Sequence, residues 1–482
     1  MKFLHPDNDS HLELSLDDVF ILPSYFEGVS RRAVDLSPID FVGGCHPVVS
    51  ANMNAVTGKR LAETMARNGG LGVLPQDMSN ETLTRIVAYI KAASSTFDTA
   101  LRVSEKATLR DVQGIIRKRN HGAVVVVDDS QKPIGVVTLA DLRERDQYSC
   151  AGDVMSTDLI VSDVTMSPEE SFLRMHDARV RVSPVVDKNG ILVGITTKDD
   201  CVRRMLFKPA VDAKGSLMVA AAVGISVNAA DHAKFLVDLG VDVIVLDTAH
   251  GHQRRMLEAI ESTRKAIGDV PIVAGNVCTA EGTKALIEAG ADIIKVNVGP
   301  GAMCTTRMQT GVGRPTFSAV KACAETAKSY GKYVWGDGGV KHPRDVALYL
   351  AAGASRVMVG TMLCGTYESP GDLKQDADGF WFKENYGMAS ARAVRDRVSK
   401  LNPFQQAQKE VFREGISNSK IYLAPGRESV ADILVEIYTG VQSSFTYVGA
   451  TTIPDFQDNA CVGVQTRAGF VEGTPHGKIR NA

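Results

Sequence analysis

The 482-residue sequence lacks any apolar run long enough to span a membrane. Its first stretch, Met1 to Asp18, is acidic and polar, without the basic-then-apolar order of a secretion signal. Net charge is nearly absent, −2 at pH 7, so bulk electrostatics favours neither a nucleic acid nor an acidic membrane as partner. There is no close pair of cysteines. Cys45, Cys150, Cys201, Cys278, Cys304, Cys323, Cys364 and Cys461 are dispersed, which argues for reduced thiols in the cytoplasm rather than a disulfide framework. His250 and His252 have no third ligand at useful spacing, which argues against a metal centre there. What remains is an ordinary composition, 44% hydrophobic and 23% charged, with length for two or three domains.

One stretch organises the rest. Ile293 to Val298 is a short apolar run that reads as a buried strand. It leads into Gly299-Pro300-Gly301-Ala302-Met303-Cys304-Thr305-Thr306-Arg307. A cysteine in a glycine-bearing loop at a strand tip is poorly placed for packing and well placed for attack. The glycines let backbone approach a ligand or ion without a Cβ in the way. Cys304 is therefore expected to be a nucleophile. Thr306, two residues on, is placed to position a proton donor or a leaving group. Cys278 and Cys323 lie in helix-like contexts and read as packing thiols.

Taken in order, Leu14 to Pro23 reads as a lead-in strand or clamp. Strands are expected at Pro47–Met53, Gly69–Leu74, Leu217–Val223, Val241–Asp247, Pro271–Asn276, Ile293–Val298, Tyr333–Gly339 and Ser355–Thr361. Helical spacing separates them, as at Thr57–Asn68, Ala229–Leu239 and Thr279–Ala289. Eight such units predict an α/β fold, a (β/α)8 TIM barrel. Polar residues and glycines collect where strands end: Ser50, Asp247, Asn276, Cys304, Asp337 and Gly360. Barrel active sites sit at that face, and Asp337-Gly338-Gly339 with Gly360-Thr361 suits a phosphate held by backbone amides.

The alternation is interrupted by a duplicated unit. Val127-Asp128-Asp129 before Ile134–Asp141 is echoed by Val186-Asp187-Lys188 before Val193–Asp200. The pairs Gly135/Gly194, Thr138/Thr197 and Asp141/Asp200 keep one offset, which marks an internal repeat. It resembles a tandem pair of CBS modules (a Bateman domain) inserted after the second strand. That resemblance implies a regulatory nucleotide, ATP or GTP, with Thr138, Asp141, Thr197 and Asp200 on ribose hydroxyls. A ligand-free structural insert is the plainer reading. The expected division is residues 1–95 and 207–482 for the barrel and 96–206 for the insert.

The Cys304 loop, with Thr310-Gly311-Val312-Gly313 behind it, resembles the catalytic loop of the IMP dehydrogenase/GMP reductase family. Ser50-Ala51-Asn52-Met53, Gly275-Asn276-Val277, Asp337-Gly338-Gly339, Gly360-Thr361 and Tyr386-Gly387-Met388-Ala389-Ser390 match family motifs in the same order. The resemblance implies attack by Cys304 on C2 of a purine nucleotide, a covalent intermediate, and hydride exchange with a nicotinamide. It implies nucleotide contacts at Ser50, Met53, Asn276, Asp337, Gly338, Gly339, Gly360, Thr361, Tyr386, Gly387, Met388 and Ser390. Asp247 and Thr248 would lie near the cofactor. Carbonyls of Gly299, Gly301 and Cys304 would hold a monovalent cation, potassium. Family members form homotetramers or octamers.

Direction is argued from what the chain lacks. A dehydrogenase needs a mobile flap with an Arg-Tyr pair to activate water, and residues 395–413 contain none. Asn385-Tyr386-Gly387-Met388 is the reductase-like form, and Glu414-Gly415 matches the glutamate that reductases pair with the threonine, here Thr306, to release ammonia. The expectation is reduction of GMP by NADPH. IMP oxidation by NAD, or an idle nucleotide-binding regulator, are the alternatives. The chain departs from the family pattern at Ala302 (usually serine), Asn297 (glycine), Asn54 (aspartate) and Pro75 (histidine).

Overall fold

The computed structural model describes residues 1–4, 12–28, 30–225, 228–386, 404 and 419–475. The eight apolar runs form β1 (Val48–Ser50), β2 (Leu71–Leu74), β3 (Ala220–Val223), β4 (Val243–Asp247), β5 (Ile272–Val277), β6 (Ile293–Val296), β7 (Tyr333–Asp337) and β8 (Arg356–Val359). Each is bonded in parallel to the next, and β8 returns to β1, closing the barrel. The expected (β/α)8 class is thus the observed one. Some strands are shorter than their apolar runs. β6 stops before Asn297, whose φ of +135° cannot continue a strand.

Residue parity makes two cores. Val243, Val245, Val273, Ile293, Trp335 and Met358 point inward and pack together. Ile244, Leu246, Ile272, Ile294, Val357 and Val359 point outward beneath the helices. Burial on both faces is why the strands read as continuous apolar runs. The same parity puts Asp247, Lys295 and Asp337 on the inward side, where their strands end or nearly end. The helix Lys59–Arg67 follows β1 and lies directly on β2. A Cβ at Gly72 would stand 2.6 Å from Ala62.

The opposite end of the barrel is plugged. Arg356 Nε donates to both oxygens of Asp40 (3.1 and 3.0 Å), Trp335 Nε1 donates to Asp40 at 2.9 Å, and both charged side chains are fully buried. The Leu14–Pro23 segment contains a short strand, Val19–Ile21. It pairs with Cys461–Val464, which pairs in turn with Lys2–Phe3.

Between the helix Asn80–Ala92 and β3 the chain leaves the barrel. Arg102–Ser104, Leu109–Ile116, Ala123–Val127 and Pro133–Thr138 form one strand–helix–hairpin unit. Ser162–Asp163, Pro168–Asp177, Val182–Val186 and Leu192–Thr197 form another. In both, the first strand runs parallel to the second and the second antiparallel to the third. The repeated sequence is a repeated topology. Charge docks this insert on the barrel. Arg119 binds Glu63 of the helix Lys59–Arg67 and also Asp98 (2.6 Å), and Arg203 pairs with Asp432 of the helix Val430–Val448.

Candidate active site

A pocket of about 300 Å³ opens at the C-terminal ends of the barrel strands. Met53, Gly301, Cys304, Thr306, Asp337, Gly338, Gly339, Gly360 and Thr361 line it, all singled out from the sequence. Cys304 is exposed, and its thiol donates to Thr306 Oγ1 at 3.2 Å. The Cys304 N–H donates to the Gly301 carbonyl (2.9 Å), which closes the loop into a turn. Gly338 and Gly339 have φ of +85° and +72°, a region that favours glycine. A Cβ on Gly338 would reach 3.4 Å from the Gly301 backbone, so the two loops lie against each other. Backbone, rather than side chains, makes up much of the wall beside the thiol.

Behind this wall lies a network that the sequence reasoning missed. Lys295 is buried on β6. Its amine donates to Asp247 (2.8 Å), Asp337 (2.7 Å) and Asn276 Oδ1. Asn276 Nδ2 donates to Asp337 (2.9 Å), and Asn52 Nδ2 to Asp247 (2.8 Å). Burial alone would lower the lysine pKa, but the two carboxylates outweigh it and raise it, so Lys295 stays charged. This one cation fixes side chains at the mouths of β4, β5 and β7. A lysine two residues after an inward-facing isoleucine, within an apolar run, was the available signal.

Other expected contacts fall elsewhere. Ser50 is buried and shares a hydrogen bond with Thr57 Oγ1 (2.8 Å); its neighbours Ala51 and Met53 line the pocket. Thr248 is held through its backbone, donating to the Gly275 carbonyl at 2.9 Å. Tyr386 packs, partly buried, against the outer core. Gly387, Met388, Ser390, Glu414 and the expected flap lie outside the described residues. Asn297, in place of a glycine, keeps its positive φ. Its Nδ2 donates to the Asp337 carbonyl (3.0 Å) and to Tyr349 Oη (2.7 Å). Ala302 lines the pocket without a hydroxyl. His250 and His252 are exposed, and among the described residues no cluster of His, Cys, Asp or Glu could hold a metal ion.

The IMP dehydrogenase / GMP reductase domain matches residues 13–476. The chain belongs to this family. It is 46% identical over 477 residues to a GMP reductase from Mycobacterium tuberculosis (strain ATCC 25618 / H37Rv), covering 98% of this chain and 99% of the relative. It is 36% identical over 473 residues to an inosine-5'-monophosphate dehydrogenase from Aquifex aeolicus (strain VF5), covering 96% and 95%. Its structure is similar to that of a GMP reductase variant from Trypanosoma brucei in complex with guanosine 5'-monophosphate. There the TM-score is 0.69 and the identity 30%, over 98% of this chain and 100% of the other.

Within this IMP dehydrogenase/GMP reductase chain, the threonine–aspartate pairs of the insert bond to each other. Thr138 N–H and Oγ1 both donate to Asp141 (2.8 Å each), and Thr197 N–H and Oγ1 to Asp200 (3.0 and 2.8 Å). Thr138 lines one cavity of about 460 Å³; Thr197 and Asp200 line another of about 200 Å³. Asn120, His121, Arg181 and Val182 border both. Burial, with Asp98 adding to it, raises the Asp200 carboxyl above its usual range. No described helix is long and apolar enough to cross a membrane.

Proposed function

We propose that the protein is a GMP reductase that converts GMP and NADPH to IMP, ammonia and NADP. The observation that carries this reading is the near full-length similarity to a GMP reductase, higher than to the dehydrogenase described above. The absence of an Arg-Tyr pair from residues 395–413 points the same way.

In this reading Cys304 Sγ attacks C2 of GMP. The C2–N bond then breaks, and the amine leaves as ammonia with a proton relayed through Thr306 and Glu414. NADPH, when bound, supplies the hydride that C2 accepts. The C–S bond then breaks and the thiolate returns to Cys304. Ala51, Met53 and Ala249 give the pocket apolar lining, which suits a flat nicotinamide; Asp247 ends β4 and Thr248 follows it, next to Ala249 in the chain. Gly338, Gly339, Gly360 and Thr361 would hold the nucleotide phosphate, and Tyr386 with residues 387–390 would complete the nucleotide site. The carbonyls of Gly299, Gly301 and Cys304 are hard donors of the kind that hold potassium. Residues 96–206 would act as a nucleotide sensor through the two cavities bordered by Thr138 and Thr197, in a cytoplasmic homo-oligomer.

The test mixes the protein with GMP and NADPH, with and without potassium, and follows NADPH loss and ammonia release. A parallel reaction holds IMP and NAD. Ammonia in step with NADPH, lost at least a thousandfold in Cys304→Ala, is the expected result. NADH from the IMP reaction would make the chain a dehydrogenase. Purine binding without turnover in either reaction would make it a regulator.

A further inference from the structure

A cavity of about 540 Å³ lies between the first copy of the repeat and the barrel. It is separate from the catalytic pocket, and Cys304, Thr138, Asp141, Thr197 and Asp200 do not line it. Its charge is one-sided. Arg60, Arg117, Lys118, Arg143 and Lys383 border it, against the single acid Asp372. None of the five cations forms an ion pair among the described residues, whereas Arg119, which repels Arg60, is paired with Glu63.

Two of these cations have no charged hydrogen-bond partner among the described residues. Arg60 Nε is buried without a hydrogen-bond partner. The Lys383 amine, 3% exposed, donates only to the neutral carbonyls of Tyr367 (3.1 Å) and Ser369 (2.6 Å). Burial and then the neighbouring Arg60 lower its pKa to about 8. The buried Glu368 carboxylate attracts both, but its oxygens accept from Ser429 Oγ and the Val430 N–H, and an anion in the cavity would offset the remaining cost of burying the two charges.

The remaining walls suit a ring and leave space. Trp381 and Tyr367 border the cavity, and the Arg117 guanidinium lies 4.7 Å from the Trp381 ring centroid. Gly114 sits inside the helix Leu109–Ile116, where glycine costs about 1 kcal/mol relative to alanine. A Cβ there would meet nothing within 4 Å. The volume is in the range of nucleotide-sized pockets.

We propose that this cavity is a second effector site that takes a polyphosphate-bearing anion of the nucleoside triphosphate class. The phosphates lie on the five cations and any base lies on the Trp381–Tyr367 wall. Because the walls come from residues 113–143 of the insert and from Arg60 and residues 367–383 of the barrel, the ligand ties the two together. The inference does not depend on which way the catalytic site runs.

The chain carries its own reporter. Of its two tryptophans, Trp335 is buried in the barrel interior and Trp381 lines this cavity. The full-length protein is titrated with inorganic tripolyphosphate, ATP and GTP while tryptophan fluorescence is followed. A saturable change with all three, absent in Trp381→Phe, is expected. Affinity should fall about tenfold in Arg143→Gln, at an exposed position, and about a hundredfold in Arg117→Glu/Lys118→Glu. Gly114→Leu should block binding. That variant adds helix propensity, so misfolding does not mimic the result. Thr138→Ala and Thr197→Ala should stay within twofold of wild type. ATP or GTP tighter than tripolyphosphate assigns the aromatic wall to a base; equal affinities assign recognition to the phosphate chain alone, and both support the site. No change with any probe, nucleotides binding without tripolyphosphate, or a change that survives Gly114→Leu would overturn it. So would a change lost on substituting Thr138 or Thr197, which would put the ligand between the two copies.

Discussion

Cys304 stands against a network of side chains tied together at the strand ends. Lys295 draws Asp247, Asp337 and Asn276 to one point, and Asp337 begins the turn that lies against the cysteine loop. Asn297 is the hinge of that loop. Its backbone sits at φ +135°, where glycine is at ease and other residues are strained by about 1–3 kcal/mol. Two hydrogen bonds from its side chain, to Asp337 and Tyr349, oppose that strain. Asn297→Ala keeps the strain and loses both bonds, so it should destabilise by about 2–3 kcal/mol in denaturant unfolding. Asn297→Gly loses the bonds but relieves the strain, and should cost at least about 1 kcal/mol less. Equal losses for the two variants would mean the backbone stores nothing there.

At the scale of elements, the insert is held by an ion cluster. Burial would raise Glu63, but Arg67 and Arg119 outweigh it and hold the carboxyl at about 2. Arg119, on the insert, is almost wholly buried. Arg119→Met should cost about 3–5 kcal/mol, because it strips a buried carboxylate of one of two cations. Urea unfolding at pH 7 measures that loss, and limited proteolysis should show faster cleavage within 96–206; unchanged cleavage would mean other contacts dock the insert. The strands were legible because two-sided burial writes each as an apolar run. The insert was legible because its two copies keep one offset. The Glu63–Arg119 and Lys295–Asp247–Asp337 pairs were not. Their partners lie far apart in sequence, at spacings set by docking of the insert for Arg119 and by closure of the barrel for Lys295, which leaves no local pattern. The resemblance implies a nucleotide contact at Ser50; on its three-residue strand the side chain is buried and bonds to Thr57, a placement that parity decides and that no local pattern shows.

The molecule as a whole converges on one uncharged imidazole. His46 precedes β1, and its Nε2 faces the Leu434 carbonyl at 3.0 Å on the helix Val430–Val448. Its ring lies 5.9 Å from that of Phe207, where the insert returns to the barrel, and 5.4 Å from Tyr438. Full burial lowers its pKa from 6.5 to about 4. Between those values the unfolded chain binds a proton at this position and the folded chain does not. The contribution is complete above pH 6.5 and is lost as pH falls towards 4, at up to about 1.4 kcal/mol per unit and about 3 kcal/mol in all. Burial lowers His121 as well, so wild type alone would not isolate His46. His46→Gln retains an amide that can donate to Leu434 but has no proton to gain. The variant should be less stable than wild type at pH 7.5, and the gap should close by about 2–3 kcal/mol at pH 4.5 in paired urea titrations. Glu63 does not disturb the comparison, since its stabilising contribution begins to be lost only near its unfolded value of 4.5 and it is present in both proteins. If the two stability curves ran parallel from pH 7.5 to 4.5, His46 would not be the neutral keystone between barrel, insert and the helix Val430–Val448.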